Sequence, residues 1–216
     1  MSAVVRQETG DVHQRLVELG LVEELLKEVV RRGQLAFLNC TANHPPQFPG
    51  MAAWAETVRA LREYVMPLGW ERSNDNNYAL TVDPGGRIAI AVATGNDGTG
   101  SADATPSTNA RKGPSTSDAV AENQLQFGFM DRYALPAATS TSSHGNDRRM
   151  TWILLIHRAT SEVRCELSLP SSIGEDGHID GWRERVLLGS VPLDGDLVEI
   201  VPPPLPDIAV DVRRRS

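Results

Sequence analysis

Asn77-Tyr-Ala-Leu-Thr-Val82, Asp83-Pro-Gly-Gly86 and Arg87-Ile-Ala-Ile-Ala-Val-Ala-Thr94 form the stretch that decides the fold class. Tyr78, Leu80 and Val82 alternate with Ala79 and Thr81; Ile88, Ile90 and Val92 alternate with Ala89, Ala91 and Ala93. Period-two alternation on both sides of a Pro-Gly turn predicts a β-hairpin over 77–94. One of its faces is bulky and the other almost all alanine. Such a surface lets a helix or a ligand approach the backbone closely, and helix packing is the commoner cause.

A second hairpin is predicted over 151–169. Trp152 to Arg158 rises, Ala159-Thr160-Ser161-Glu162 turns, and Val163, Cys165, Leu167 and Leu169 return in alternation. The rising strand is apolar on both faces, as a central strand covered on both sides would be. A two-residue turn at Thr160-Ser161 sets His157 opposite Arg164, whereas a three-residue turn would set it opposite Cys165. Alternation favours the first register.

Helices are expected before the sheet, over 11–66. Asp11 and Gln14 have the spacing of a capping pair. Leu21, Val22, Leu25, Leu26, Val29 and Val30 form one amphipathic stripe, which Gly33 ends or bends. Asn43 to Gly50 holds three prolines and reads as non-helical. A further helix runs from Ala52 to Met66 on Trp54, Val58, Leu61 and Val65. Asp118 to Leu135 reads as a helix capped by Ser115 or Ser117, burying Val120, Leu125 and Phe127, and Asp180 as the cap of a short helix through Trp182, Val186 and Leu187. Residues 95–117 and 135–148 read as flexible polar loops. Val201-Pro-Pro-Pro-Leu-Pro206 opens an extended arm over 200–216 that ends in Arg213, Arg214 and Arg215.

The whole is expected to be a single α+β domain over 1–216. Its N-terminal helices would pack on a four-stranded antiparallel sheet made of two β-hairpins, with long polar loops. The 216 residues are 40% apolar and 23% charged, an ordinary globular composition. No apolar run approaches a membrane span, and no secretory pattern opens the chain, which predicts a cytoplasmic protein with no membrane partner. Net charge is −7, and no segment is basic, which disfavours a nucleic-acid partner. Nineteen of the 21 basic residues are arginine, a bias that a GC-rich genome would also give. Cys40 and Cys165 read as reduced thiols.

Gly86 to Gly95, Ala104 to Thr108 and Glu166 to Gly177 together resemble uncharacterised proteins of proteobacterial integrative and mobile elements. That resemblance implies a bacterial cytoplasm and a role in element maintenance, defence or counter-defence. It brings no functional residues and no fold.

Four patterns carry possible chemistry. Gly95-Asn-Asp-Gly-Thr-Gly100 opens like a phosphate-binding loop, but Ser101 stands where lysine is needed and no helix follows, so a plain loop is preferred. Glu166 with Glu175, Asp176, His178 and Asp180 is the densest set of potential metal ligands; it could hold Mg²⁺, Mn²⁺ or Zn²⁺, with His178 as ligand or base. The bland alternative makes Asp180 a helix cap and the rest solvated charges. A Cys165–His157 dyad would require the disfavoured register. Arg59, Arg62 and Arg87 would be the DNA contacts of a winged-helix reading, against which Glu56 and Glu63 flank the arginines.

No complete reactive centre emerges, and no cofactor is called for. The preferred expectation is a non-catalytic protein-binding or adaptor protein, engaging a protein partner through its polar loops and C-terminal arm, with oligomeric state open. The alternatives are a metal-dependent hydrolase or nuclease built on 166 and 175–180 with a divalent metal ion, and a DNA-binding regulator.

Overall fold

The computed structural model describes residues 3–132 and 149–192. Its strands, β1 (Val4–Arg6), β2 (Glu71–Ser73), β3 (Leu80–Val82), β4 (Ile88–Thr94), β5 (Met150–Arg158), β6 (Glu162–Ile173) and β7 (Ile179–Pro192), form one sheet in the order β1-β7-β6-β5-β4-β3-β2. The helices are α1 (Thr9–Glu18), α2 (Glu23–Leu38), α3 (Phe48–Val65) and α4 (Pro114–Arg132).

This α+β sheet has seven strands and is mixed, which corrects the expected four-stranded antiparallel one. The two hairpins exist, but they join through a parallel pair, β4 beside β5, with Ile90 opposite Trp152. Parallel neighbours need a long crossover, and residues 95–149, which contain α4, supply it. β7 adds antiparallel to β6 and β1 parallel to β7.

Residues 179–192 are strand, not the expected short helix. The β6–β7 ladder carries four register irregularities, and two of them hide this strand from its own sequence. Glu184 faces Leu169 but Trp182 faces Pro170, and Leu187 faces Glu166 but Ser190 faces Arg164. Each extra residue shifts the side-chain alternation by one, so period two breaks at Arg183 and again near Gly189, whose φ is +72°.

The helices α1, α2 and α3 cover one face of the sheet. Val12, Leu16, Leu26, Val29, Val30, Leu61 and Val65 pack there on Ile90, Trp152, Leu154, Cys165, Leu167 and Val186. Asp11 sits inside the first turn of α1, and Glu8 is the N-cap without a side-chain bond, so the expected capping pair does not form. Gly33 neither ends nor bends α2. A Cβ there would fall on the Thr57 hydroxyl and 2.9 Å from the Ala53 carbonyl oxygen, so Gly33 is the point where α2 and α3 cross in contact. α3 begins at Phe48, earlier than expected, because Pro49 occupies the first turn, where a missing N–H costs nothing.

The alanine face of β4 is covered as expected: Ala89, Ala91 and Ala93 pack with Ile153, Leu155 and Val120 of α4. Leu125, expected in that core, is 77% exposed. Asn123, fully buried, fixes α4 to the sheet. Its Nδ2 donates to the carbonyls of Thr151 (3.0 Å) and Pro170 (3.2 Å), and its Oδ1 accepts from Thr151 N (2.9 Å).

Candidate functional site

Beyond α4, the second face of the sheet is roofed by the polar segment 95–113. Asn96 N donates to Ser107 O and Asn109 N to Thr94 O, while Thr108 N donates to Ile179 O and Lys112 N to Gly177 O. The segment thus runs as an extended connection between the end of β4 and the start of β7. Several of its polar side chains hold it in place: Asn96 Oδ1 accepts from Gly98 N and Ser107 N, and Thr108 Oγ1 accepts from Ile179 N of β7.

The phosphate-loop resemblance dissolves in this geometry. The amide of Gly100, which an anion would need, donates instead to Glu166 Oε2 at 2.8 Å. Glu166 is fully buried and pairs with Arg185, Nη2 to Oε2 at 2.6 Å and Nε to Oε1 at 3.0 Å. Arg185 also donates to the carbonyls of Ala104 (2.7 Å) and Ser101 (2.9 Å), and Ser168 donates to Glu166 Oε1 at 2.7 Å. This fork-to-carboxylate contact beneath the segment clamps it to β6 and β7.

The proposed metal ligands do not converge as a set of four, although Asp176 and Asp180 approach each other over Gly174, where a Cβ would stand 2.9 Å from Asp176 Oδ1 and 2.7 Å from Asp180 Oδ2. Glu166 is occupied by Arg185, Gly100 and Ser168. Asp176 lies in the turn between β6 and β7, where its Oδ1 accepts from His178 N at 3.0 Å. His178 Nδ1 donates to Thr108 O at 2.5 Å, and Asp180 follows on β7, no cap at all, its Oδ1 3.5 Å from the Ser172 hydroxyl. Glu175 sits beside them in the turn. Among the described residues no group of three or more His, Cys, Asp or Glu side chains could hold a metal ion.

β5 and β6 pair in the two-residue-turn register, with His157 opposite Arg164 and Ile156 opposite Cys165. His157 Nδ1 donates to Gly95 O at 3.1 Å on the second face, while Cys165 is buried in the first-face core. Burial pushes the Cys165 thiol up to about 12, the opposite of an activated nucleophile.

The three arginines of the DNA reading have different duties. Arg59 is held by Glu56 and Glu63 on either side along α3. Arg62 turns inward, its Nη2 donating to the carbonyls of Ser73 and Leu80 (3.1 Å each) and to Asn74 Oδ1 (2.8 Å). Arg87 is exposed at the β3–β4 turn, 3.9 Å from Asp83. They do not form a basic face.

Leu38, Phe48, Met51 and Trp54 stand exposed at the loop end of the α2–α3 hairpin, at 45%, 41%, 63% and 44%. Trp54 was expected in the core; instead its ring forms one wall of a shallow crevice with Thr57, Val92, Ile156 and Arg158, anchored by Nε1 donating to Val92 O at 3.2 Å. His44 stacks on Phe48 with ring centroids 4.9 Å apart. Arg158 lies over Phe37 at 4.7 Å and donates to Gln34 Oε1 at 2.7 Å, and among the described residues no carboxylate pairs with it. Burial holds its guanidinium below the usual arginine range.

The expected binding surfaces did not include this end of the molecule, although a signal for it was present. Residues 29–55 contain no Asp or Glu in a chain that has 28 of them. The loop 135–148, the arm 200–216 and the terminal arginines lie outside the described residues.

No family model, curated protein or solved structure matches the chain. Among the described residues no helix is long and apolar enough to cross a membrane.

Proposed function

We propose that the chain is a non-catalytic protein-binding module whose contact surface is the loop end of the α2–α3 hairpin. The observation that carries this reading is the exposed set Leu38, Phe48, Met51 and Trp54, lying in an acid-free stretch, with the Arg158 guanidinium, which pairs with no carboxylate among the described residues, on the rim of the Trp54 crevice. Grouped exposed apolar side chains with a tryptophan and an arginine have the composition of a binding hot spot. The exposed apolar side chains select a partner segment that is itself apolar, and the Arg158 guanidinium beside them favours one that carries a carboxylate. The polar segment 95–113, by contrast, is occupied with holding itself to the sheet.

The resemblance of residues 86–95, 104–108 and 166–177 to mobile-element proteins directs the search to a bacterial host carrying such an element, with defence or counter-defence as the setting. The test is quantitative affinity capture from that host with wild type, Met51→Asp and Trp54→Asp, each variant first shown to melt as wild type does. The expected result is a saturable partner lost with both variants. Recovery of the same proteins at the same yield with all three would overturn the reading.

A further inference from the structure

The α2–α3 hairpin has a second end, where α2 begins at Glu23 and α3 finishes at Val65, and the surface beside it is hollowed. Three connections meet around the hollow. α1 runs out at Leu19 and Gly20, the chain beyond α3 turns at Gly69, and the β3–β4 turn brings in Asp83 to Arg87. Gly69 takes φ +87°, and a Cβ on it would stand 3.3 Å from the Pro84 ring, so two of these connections touch. That left-handed step, which glycine takes at little cost, leaves Leu68 outside at 58% exposed and Trp70 inside at 4%. The hollow holds about 360 Å³, within the range of about 300–1,000 Å³ common for small-molecule sites.

Val17, Leu68, Pro84 and Trp70 give it apolar walls. Its charged groups are not equally engaged. Glu18 Oε2 accepts from Arg15 Nη1 at 2.8 Å, and Asp83 accepts from Ile88 N at 2.7 Å and from Gly85 N at 3.2 Å. Both carboxylates are therefore held. Arg87 stands 3.9 Å from Asp83, beyond hydrogen-bond reach, with its side chain 77% exposed. The indole N–H of Trp70 has no hydrogen-bond partner among the described residues, and yet it is not sealed from solvent. An indole nitrogen can only donate. The hollow thus presents two unspent donors, one of them a planar fork, against apolar walls.

We propose that this hollow binds a small organic carboxylate with a flat apolar body, its body against Val17, Leu68 and Pro84 and its oxygens taking the Arg87 guanidinium and the Trp70 N–H. The fork of an arginine matches the two oxygens of a carboxylate in geometry as well as charge. A cationic ligand fits less well, since Glu18 would have to leave Arg15 and Asp83 its two backbone amides. The hollow lies at the far end of the hairpin from Leu38, Phe48, Met51 and Trp54, so this is a second site and does not rest on the protein-binding reading.

Nuclear magnetic resonance of the isotope-labelled full chain tests the proposal through its four indole N–H signals, one for each tryptophan. The probes are naphthoate and the matching neutral naphthamide. Naphthoate is expected to shift the Trp70 signal saturably, with a Kd of about a millimolar or tighter. Naphthamide should bind at least about tenfold more weakly. Arg87→Gln should remove that preference by weakening naphthoate alone. Val17→Glu, which places a like charge on an exposed part of the wall, should weaken naphthoate with Arg87 intact. Each variant is first shown to melt as wild type does, and either one reports if the other disturbs the fold.

No saturation of the Trp70 shift by about 10 mM naphthoate overturns the proposal. Equal affinities for the acid and the amide also overturn it, as does a correctly folded variant that binds naphthoate like wild type. A shift of the Trp54 signal with that of Trp70 unmoved would place the probe at the loop end of the hairpin and overturn it too. None of these outcomes bears on the capture experiment with Met51→Asp and Trp54→Asp.

Discussion

Glu166 on β6 and Arg185 on β7 form a buried two-point ion pair, 2.6 and 3.0 Å, whose remaining polar atoms reach across to Gly100, Ser101 and Ala104. Removing one partner of such a pair strands a charge away from water, which costs about 3–5 kcal/mol, whereas replacing both by apolar groups of similar size is often close to neutral. Glu166→Gln and Arg185→Met are each expected to lose stability of that order in urea unfolding. The Glu166→Leu/Arg185→Met double variant should recover part of it while leaving segment 95–113 more open to proteolysis. Additive losses in the double variant would contradict the account.

Asn123 satisfies three buried backbone groups at once. Asn123→Ala is expected to leave Thr151 N and the Thr151 and Pro170 carbonyls unpaired, at about 1–3 kcal/mol for each group that water fails to reach. Thermal unfolding should show the loss, with α4 amides exchanging first.

Gly33→Ala reads out the helix crossing. Alanine improves helix propensity by about 1 kcal/mol, but here its Cβ meets the Thr57 side chain and the Ala53 carbonyl, and overpacking of this kind costs about 1–3 kcal/mol. A net destabilisation is expected, partly relieved in Gly33→Ala/Thr57→Ala, where the hydroxyl is gone but the carbonyl contact remains. Denaturant midpoints of the three proteins check it.

The Cys165 thiol, raised to about 12 by burial, is neutral in the fold, while an unfolded thiol ionises near 8.5. A raised folded value means that its stabilising contribution is whole below about 8.5 and is lost as pH climbs through the folded value. Tyr78, also raised to about 12 by burial, acts in the same direction above its unfolded value near 10. Stability should therefore decline from about pH 8.5 upward, and Cys165→Ala should flatten the first part of that decline. At pH 8 a thiol reagent should label Cys40 in the native protein and both cysteines only in denaturant.

What could be read from residues alone follows the range of the forces involved. The turn at Asp83 to Gly86 and the α2 stripe at Leu26, Val29 and Val30 were legible because each is local: a period and a punctuation mark. The β5–β6 register was legible for the same reason. The parallel β4–β5 pairing was not, because two hairpins leave the choice of neighbouring edges open and the crossover settles it. β7 was hidden by its own bulges, which put Trp182 and Val186 on opposite faces and left a spacing that mimics a helix. Glu166 and Arg185 each look like a solvated charge on an alternating strand; only the sheet makes them partners. The loop end of the α2–α3 hairpin was partly legible, since Trp54 sat on a helical stripe and the missing carboxylates of 29–55 were countable, but which apolar side chains remain uncovered is decided by where the helices cross.

The strand β1 lies alongside β7, with Arg6 and Arg15 both bonded to Glu184. On a ribosome, the first strand of this chain would wait for the last one described before it had anything to pair with. The edge of the sheet can close only once the residues through β7 have emerged, so α1 should dock late and open early. A chaperone that shields β1 and α1 as they emerge would then speed folding more than one that acts on the finished chain.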